Sequence, residues 1–268
     1  MSYRLLPFHQ RLSNALTHDE FRIYYQPVVS LQNNNEVVGM EALCRWPQRD
    51  NTMTAPDQFI PQAENSGFII QLGEWVMRTA CKQVNTWQEQ FGRKLRLAVN
   101  LSSRQFLHHG LFAMIQDALR QSKLDPHDLD LEITEGVAMH NAEDSIGVMR
   151  QIKSIGCGLS LDDFGTGYSS LSYLKRFPLD LLKIDKSFVR DIPADQNDMA
   201  IVSAITAMAH ALNLGIIAEG VETQAQGDFL RDCGVAYAQG YYFGRPLPES
   251  EFEEMLSGLG KQAPRTTA

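Results

Sequence analysis

Polar and charged residues stand at or near the ends of short apolar runs along this chain, at Glu41, Asn100, Glu132, Asp162, Asp163, Lys183, Glu219 and Gln239. The runs are MEAL, LAVN, LDLEIT, LSLDD, LLKID, IIAEG and AQGYYF, each with the length and composition of a β-strand. Any fold that gathers these strand ends brings five carboxylates and one lysine into one place. Like charges resist such convergence, so the pattern predicts a cation-binding active site at one rim of a barrel.

The runs FRIYYQPVVSL and EVVGMEALCRW are separated by the polar stretch QNNNE, which predicts a hairpin and hence an antiparallel first pair. From the second run onward, strand-like segments alternate with amphipathic ones, the signature of parallel pairing. Eight strands at roughly 30 residues per unit match a TIM-like (β/α)8 barrel whose first strand is antiparallel. A doubly wound open sheet is the alternative, but no GxGxxG or Walker loop is present, and DFGTGYSS lacks a following GK[ST]. In GEWVMRTACKQVNTWQEQF, the residues Trp75, Ala80, Val84 and Trp87 share one helical face, with Val76 and Met77 beside it. Ser102 with Gln105 and Ser250 with Glu253 have capping-box spacing, and Pro56 suits a first helical turn. One domain is expected over residues 5–258, followed by a disordered polar tail, 259–268.

The 268 residues carry a net charge of −8, which argues against binding a nucleic-acid polymer. A small anion held through metal ions is still compatible. The four cysteines are dispersed and form no CxxC pair, which suits a reduced protein without a disulfide framework or zinc knuckle. His108 and His109 are adjacent but lack metal-site spacing and read as surface residues. The N-terminus has no signal-peptide pattern, and no apolar run reaches the roughly 18 residues of a membrane span. A cytoplasmic location without membrane contact from this segment is expected.

Strand alternation gives the polar set a direction. Lys183 and Asp185 share one face of their strand, with Ile184 on the other; Glu132 shares a face with Thr134, Asn100 with Ala98, and Asp162 with Ser160. Polar groups would thus point into the barrel at the carboxyl ends of the strands, where barrels of this class carry their chemistry. Two carboxylates about 4 Å apart repel by about 4 kcal/mol at an effective dielectric near 20. Several such pairs exceed what Lys183 alone offsets. Taken singly, each of these residues is ordinarily a solvated cap, a turn or a surface lysine; the ordered series is not explained that way. The all-oxygen donors, the Asn100 carbonyl included, suit Mg²⁺ or Mn²⁺ rather than zinc or copper. Adjacent Asp162 and Asp163 suit two ions, the usual device for in-line displacement at phosphorus.

These residues also carry a resemblance. The blocks YYQPVV, EALCRW, VNLS, EITE, DDFGTGYSSL, KIDKSFV, AEGVE and QGYYFGRP, in this order and over nearly the whole chain, resemble the EAL-domain cyclic di-GMP phosphodiesterase family, named for Glu41-Ala42-Leu43. The resemblance implies a β/α barrel and Mg²⁺- or Mn²⁺-dependent hydrolysis of cyclic di-GMP to linear 5′-pGpG. It implies that Glu41, Asn100, Glu132 and Asp162 hold a first metal, with Asp162 bridging to a second held by Asp163, and that Glu219 is the last acidic ligand. Lys183 would hold the attacking water, so that Lys183, Glu41 and Glu219 carry the catalysis. Gln26, Leu43, Arg45 and Gln239 would meet the substrate, with Asp185 behind the ligands. Glu135 would anchor the DFGTGYSS loop and couple the metal site to a homodimer interface. Cys44 and Gly136 fill variable places within these motifs. The chain opens almost directly on the domain, so a missing sensory or cyclase-like domain is expected. A receptor that binds cyclic di-GMP without cutting it is the alternative, and a phosphodiesterase for another diester is a further one.

Overall fold

The computed structural model describes residues 7–48, 52–167 and 171–258. The tail 259–268, the start of the expected domain at Leu5, and Tyr168, Ser169 and Ser170 of the DFGTGYSS loop lie outside these residues. Ten strands occur among the described residues: β1 (Arg22–Ser30), β2 (Glu36–Pro47), β3 (Met53–Thr54), β4 (Arg96–Asn100), β5 (Leu129–Thr134), β6 (Gly158–Phe164), β7 (Leu181–Ile184), β8 (Gly215–Ala218), β9 (Tyr237–Ala238) and β10 (Leu247–Pro248). Eight of them close into a barrel in the order β1-β2-β4-β5-β6-β7-β8-β9 and back to β1, with β3 and β10 as short additions outside it.

The expected hairpin is present. β1 runs antiparallel to both β2 and β9, while every other barrel pairing is parallel. The turn between β1 and β2 places Asn34 and Asn35 at φ 54° and 58°, left-handed angles that asparagine tolerates. β2 covers the whole EVVGMEALCRW run and one residue more. Arg22, Ile23 and Tyr24 of β1 pair with Arg45, Cys44 and Leu43, and Trp46 and Pro47 pair with β3. Glu41 therefore lies in mid-strand rather than at a strand end.

Helices alternate with the parallel strands and bury their apolar faces against the outside of the barrel. In the helix Ile69–Phe91, Val76, Met77, Ala80, Cys81, Val84 and Trp87 are buried against this core, while Trp75 is only half-buried. Pro56 opens the helix Pro56–Ser66, and Ser102 with Gln105 forms the expected capping box on the helix Ser103–Phe106. Ser250 does not. The helix Glu249–Leu256 takes Pro248 as its N-cap, so Ser250 falls inside its first turn. Glu253 instead accepts from the Trp87 indole at 3.3 Å and from Gln90 at 2.8 Å, which ties this last helix to the helix Ile69–Phe91.

The barrel interior is divided along its axis. Its amino-terminal end carries an apolar cluster of Val28, Leu181 and Ile217, with Val38 and Tyr237 packed beside them. Its carboxyl-terminal end carries the polar residues. Strand backbones continue to pair at this rim: the Leu101 nitrogen donates to the Glu132 carbonyl at 2.8 Å, Glu219 to Ile184 at 3.1 Å, and Gln239 to Ala218 at 2.9 Å. Just beyond Gln239 the chain packs against backbone. A Cβ at Gly240 would lie 2.1 Å from the Val221 oxygen and 2.2 Å from its nitrogen. Gly240→Ala should therefore lower the unfolding free energy by at least about 1–3 kcal/mol, as overpacked sites do, measured by urea denaturation.

Candidate active site

Lys183 is the centre of the rim. It sits on β7, points into the barrel and is 0% exposed. Its Nζ lies 2.8 Å from Glu132 on β5, 2.7 Å from Glu219 just past β8, and 3.4 Å from Asp162 on β6. Burial acts against its charge, but Glu132, Glu41, Glu219 and Asp162 outweigh burial and hold its pKa well above the ordinary lysine value. The carboxylate pKa values are raised as well, chiefly by burial. Burial pushes Glu132 well above its usual range, with Lys183 opposing and Glu41 and Asp162 adding to the rise. Burial likewise raises Glu219 to about 7, with Lys183 opposing and Asp162 and Glu41 adding.

Glu41 is held from both sides. The Asn100 amide donates to its Oε1 at 2.6 Å, and the Gln239 amide donates to its Oε2 at 2.5 Å. Gln239 also donates to Gln26 Oε1 at 3.0 Å, and Gln26 donates to the Gly244 carbonyl at 3.2 Å. Four residues from β1, β2, β4 and the turn after β9 thus form a continuous chain of amides around one carboxylate. Gln26 and Glu41 are direct cross-strand partners, which places this chain on the antiparallel hairpin. Leu43 and Arg45 follow Glu41 at alternate positions of β2 and so share its face. The Arg45 guanidinium lies 5.9 Å from the Tyr24 ring.

Asp162 and Asp163 show how adjacent residues serve one site. In a regular strand their side chains would face opposite ways. Here Asp163 takes φ 56°, and the pairing of β6 with β7 shifts between Leu161 and Phe164. The Asp163 nitrogen donates to Asp162 Oδ1 at 2.9 Å, and Thr166 Oγ1 donates to the Asp163 carbonyl at 2.8 Å. Burial, then Asp162 and Asp185, raise the Asp163 pKa. Carboxylate oxygens of Asp162, Asp163 and Glu219 all lie within 4.8 Å of one another. This oxygen-only, partly exposed cluster is a fitting place for a divalent cation, and among the described residues no other group of three such side chains is so close.

The loop after β6 rests on Glu135. This residue opens the helix Glu135–His140 and is 2% exposed. Its Oε2 accepts from the Gly165 nitrogen at 3.0 Å, and a Cβ at Gly167 would lie 2.7 Å from its Oε1. Asp185 accepts from the Ser187 nitrogen at 3.0 Å and caps the helix Lys186–Val189, behind the cluster. The adjacent histidines remain at the periphery: His108 is half-buried and His109 exposed.

Below the rim lie Ser160, already placed on the Asp162 face, and Asp130, which was not singled out by sequence. Asp130 lies on the Glu132 face of β5, and Ser160 lies on the Asp162 face of β6; the Ser160 hydroxyl donates to Asp130. Burial raises the Asp130 pKa to about 6, with Ser160, Arg96 and Lys183 opposing and Asp180 adding. Strand alternation alone points to Asp130, because it precedes Glu132 by two positions.

The sequence and fold have known counterparts. A family model described as the EAL domain matches residues 9–246. The chain is 45% identical over 248 residues to the bifunctional diguanylate cyclase/cyclic di-GMP phosphodiesterase MucR of Pseudomonas aeruginosa, covering 92% of this chain and 36% of that protein. It is 40% identical over 252 residues to the cyclic di-GMP phosphodiesterase PdeR of Escherichia coli, covering 94% of this chain and 38% of that protein. The chain therefore spans little more than a third of these relatives, 36% and 38% of their length. The solved structure of the PaMucR phosphodiesterase in complex with c-di-GMP superimposes with a TM-score of 0.88 at 44% identity, covering 92% of this chain and 100% of that one. On the family match over residues 9–246, the 45% identity over 92% of the chain and the shared fold, the chain belongs to the EAL domain family.

Proposed function

We propose that this domain hydrolyses cyclic di-GMP to linear 5′-pGpG with two divalent ions, Mg²⁺ or Mn²⁺, at the rim around Lys183. The observation that carries this reading is the complete donor set: a buried lysine contacting three carboxylates, beside an amide-clamped Glu41 and the Asp162–Asp163–Glu219 cluster. Relatives named as cyclic di-GMP phosphodiesterases support the substrate.

Glu41, Asn100, Glu132 and Asp162 would hold one ion, with Asp162 shared and Asp163 and Glu219 turned to the second. When bound, such ions neutralise the anionic diester and lower the pKa of a coordinated water. Lys183 donates from Nζ and orients the attacking water. Attack on phosphorus in line breaks the bond to the sugar 3′-oxygen. Arg45 would contact a substrate phosphate, Leu43 would form a wall of the groove, and Gln26 and Gln239 would present amides to the nucleotide. The homodimer is part of the same proposal, with Glu135 joining loop order to the interface. The relatives are longer than this chain, and a sensory or cyclase-like partner domain is part of the proposal. No helix among the described residues is long and apolar enough to cross a membrane, and a cytoplasmic location is part of the proposal.

Incubation of cyclic di-GMP with the protein and Mg²⁺, followed by chromatography, should yield pGpG. Glu41→Ala should reduce turnover by at least the roughly 10- to 100-fold seen when even an outer partner of a metal site is lost. Nucleotide binding without any Mg²⁺-dependent product would instead identify a receptor. Glu135→Ala should lower both turnover and the dimer fraction in sedimentation; a variant unchanged in both would remove its assigned role. Cation binding should also be proton-coupled. Glu219 titrates near 7 in the ion-free protein, so it retains a proton below that pH which a cation must displace. Apparent Mn²⁺ affinity should therefore rise from pH 6 to pH 8, by up to about tenfold per unit below 7 for one displaced proton. Calorimetry in buffers of different ionisation enthalpy would read the proton release, and a pH-independent affinity would contradict it.

A further inference from the structure

The strand that carries Glu41 runs on past its parallel neighbour. β2 pairs with β4 only from Gly39 to Ala42. Beyond that point Leu43, Cys44 and Arg45 pair with β1, and Trp46 and Pro47 with the short strand β3. Of the residues Leu43–Pro47 only Trp46 is buried, at 1% exposure. Strand alternation puts it on the face opposite Leu43 and Arg45. The contacts of the Arg45 guanidinium among the described residues are to the hairpin itself: Nη1 donates to the Cys44 carbonyl at 3.1 Å, and the Tyr24 ring lies 5.9 Å away. The placement of Arg45 therefore follows that of the strand extension, and the extension is anchored through Trp46.

The amino-terminal helix, Phe8–Thr17, supplies much of that anchor. The Phe8 ring meets Trp46 edge-on with centroids 5.9 Å apart, and the Arg11 guanidinium lies 5.4 Å over the indole. Just after the helix, Phe21 packs on Trp46 at 5.4 Å, and the indole N–H donates to Glu20 at 3.4 Å. Phe59 closes the other side at 6.1 Å. Leu12 and Ala15 of the helix, each 0% exposed, complete a small core with these rings. It is separate from the core around the barrel, and Cys44 and Trp75 are the partly buried side chains that pack against both. A change within the small core can thus move the strand extension while the barrel stays packed. Glu41 should not follow, because β1 and β4 hold it on either side.

We propose that Trp46 is a positioning residue for the reaction, and that the helix Phe8–Thr17 acts through it to set Arg45 and Leu43 against the substrate. This rests on the reading of Arg45 as a phosphate contact.

Steady-state hydrolysis of cyclic di-GMP with Mg²⁺ tests it in Leu12→Ala, which removes a buried side chain of the small core. KM should rise by about threefold or more with kcat within about twofold, the pattern of lost uniform binding. Phe8→Leu, a milder change at the edge of the same core, should act in the same direction and guards against a Leu12→Ala variant that fails to fold. In an Arg45→Ala background Leu12→Ala should raise KM no further, since both changes act on one contact. In ¹⁵N-labelled protein both core variants should shift the Arg45 Nε–H resonance and leave the Asn100 side-chain amide in place. An unmoved Arg45 resonance in both variants, or an undiminished effect of Leu12→Ala in the Arg45→Ala background, would overturn the coupling. A lowered melting temperature with KM unchanged in both variants would leave Trp46 a packing residue and overturn the proposal. Arg45→Ala at the wild-type KM would instead overturn the reading of Arg45, and with it the role given to Trp46; the Arg45 resonance separates that failure from a failure of the coupling.

Discussion

A lysine ammonium buried at 0% exposure is tolerable only if carboxylates surround it, and those carboxylates are tolerable only because the lysine is there. Lys183, Glu132, Glu219 and Asp162 form such a mutual arrangement at distances of 2.7–3.4 Å. Each comes from a different strand or strand end, so the barrel must be closed and in register for the balance to hold. The adjoining backbone pairings, from Leu101 to Glu132 and from Glu219 to Ile184, set that register at the rim. Burial is the chief cause of the raised Glu132 and Glu219 pKa values, and three carboxylates facing one ammonium leave an excess of negative charge when all are ionised. The residual imbalance is what makes the site receptive to added positive charge.

The barrel separates two tasks along its axis. The amino-terminal half of the interior is lined by the apolar cluster of Val28, Leu181 and Ile217. The carboxyl-terminal half carries the polar groups above that floor, with Asp130 and Ser160 in between. A low-dielectric floor strengthens each electrostatic interaction above it. The one antiparallel strand contributes specifically: by pairing Gln26 with Glu41 it adds an amide network that grips a carboxylate with neutral donors rather than with another cation. Glu41 is thereby oriented without consuming the charge of Lys183.

Much of this was readable in the sequence because it depends on local periodicity. The hairpin, the alternation of strands with helices, the Ser102–Gln105 cap and the inward face of each strand follow from residue order at short range. Where a reading fails, the cause is long-range. Ser250 has capping spacing, yet Pro248 and contacts of Glu253 with a distant helix decide where that helix begins. The EVVGMEALCRW run is one strand as read, extended by a single residue to Pro47 through its pairing with β3. Trp75, read onto the apolar face, packs against the core while staying half-buried.

The sequence by itself determined the fold class, the family and the membership of the polar set, since strand-end residue types in a fixed order are one-dimensional information. Tertiary structure decided how the set works. It bent the backbone at Asp163 to φ 56° so that neighbouring carboxylates meet instead of diverging, and it turned Gln239 and Asn100 onto opposite oxygens of Glu41. It set Glu135 Oε2 to accept from the Gly165 nitrogen across 30 residues of chain. None of these follows from residue order, because each is a contact between segments distant in the chain or a local break in strand geometry that only the packed barrel holds in place.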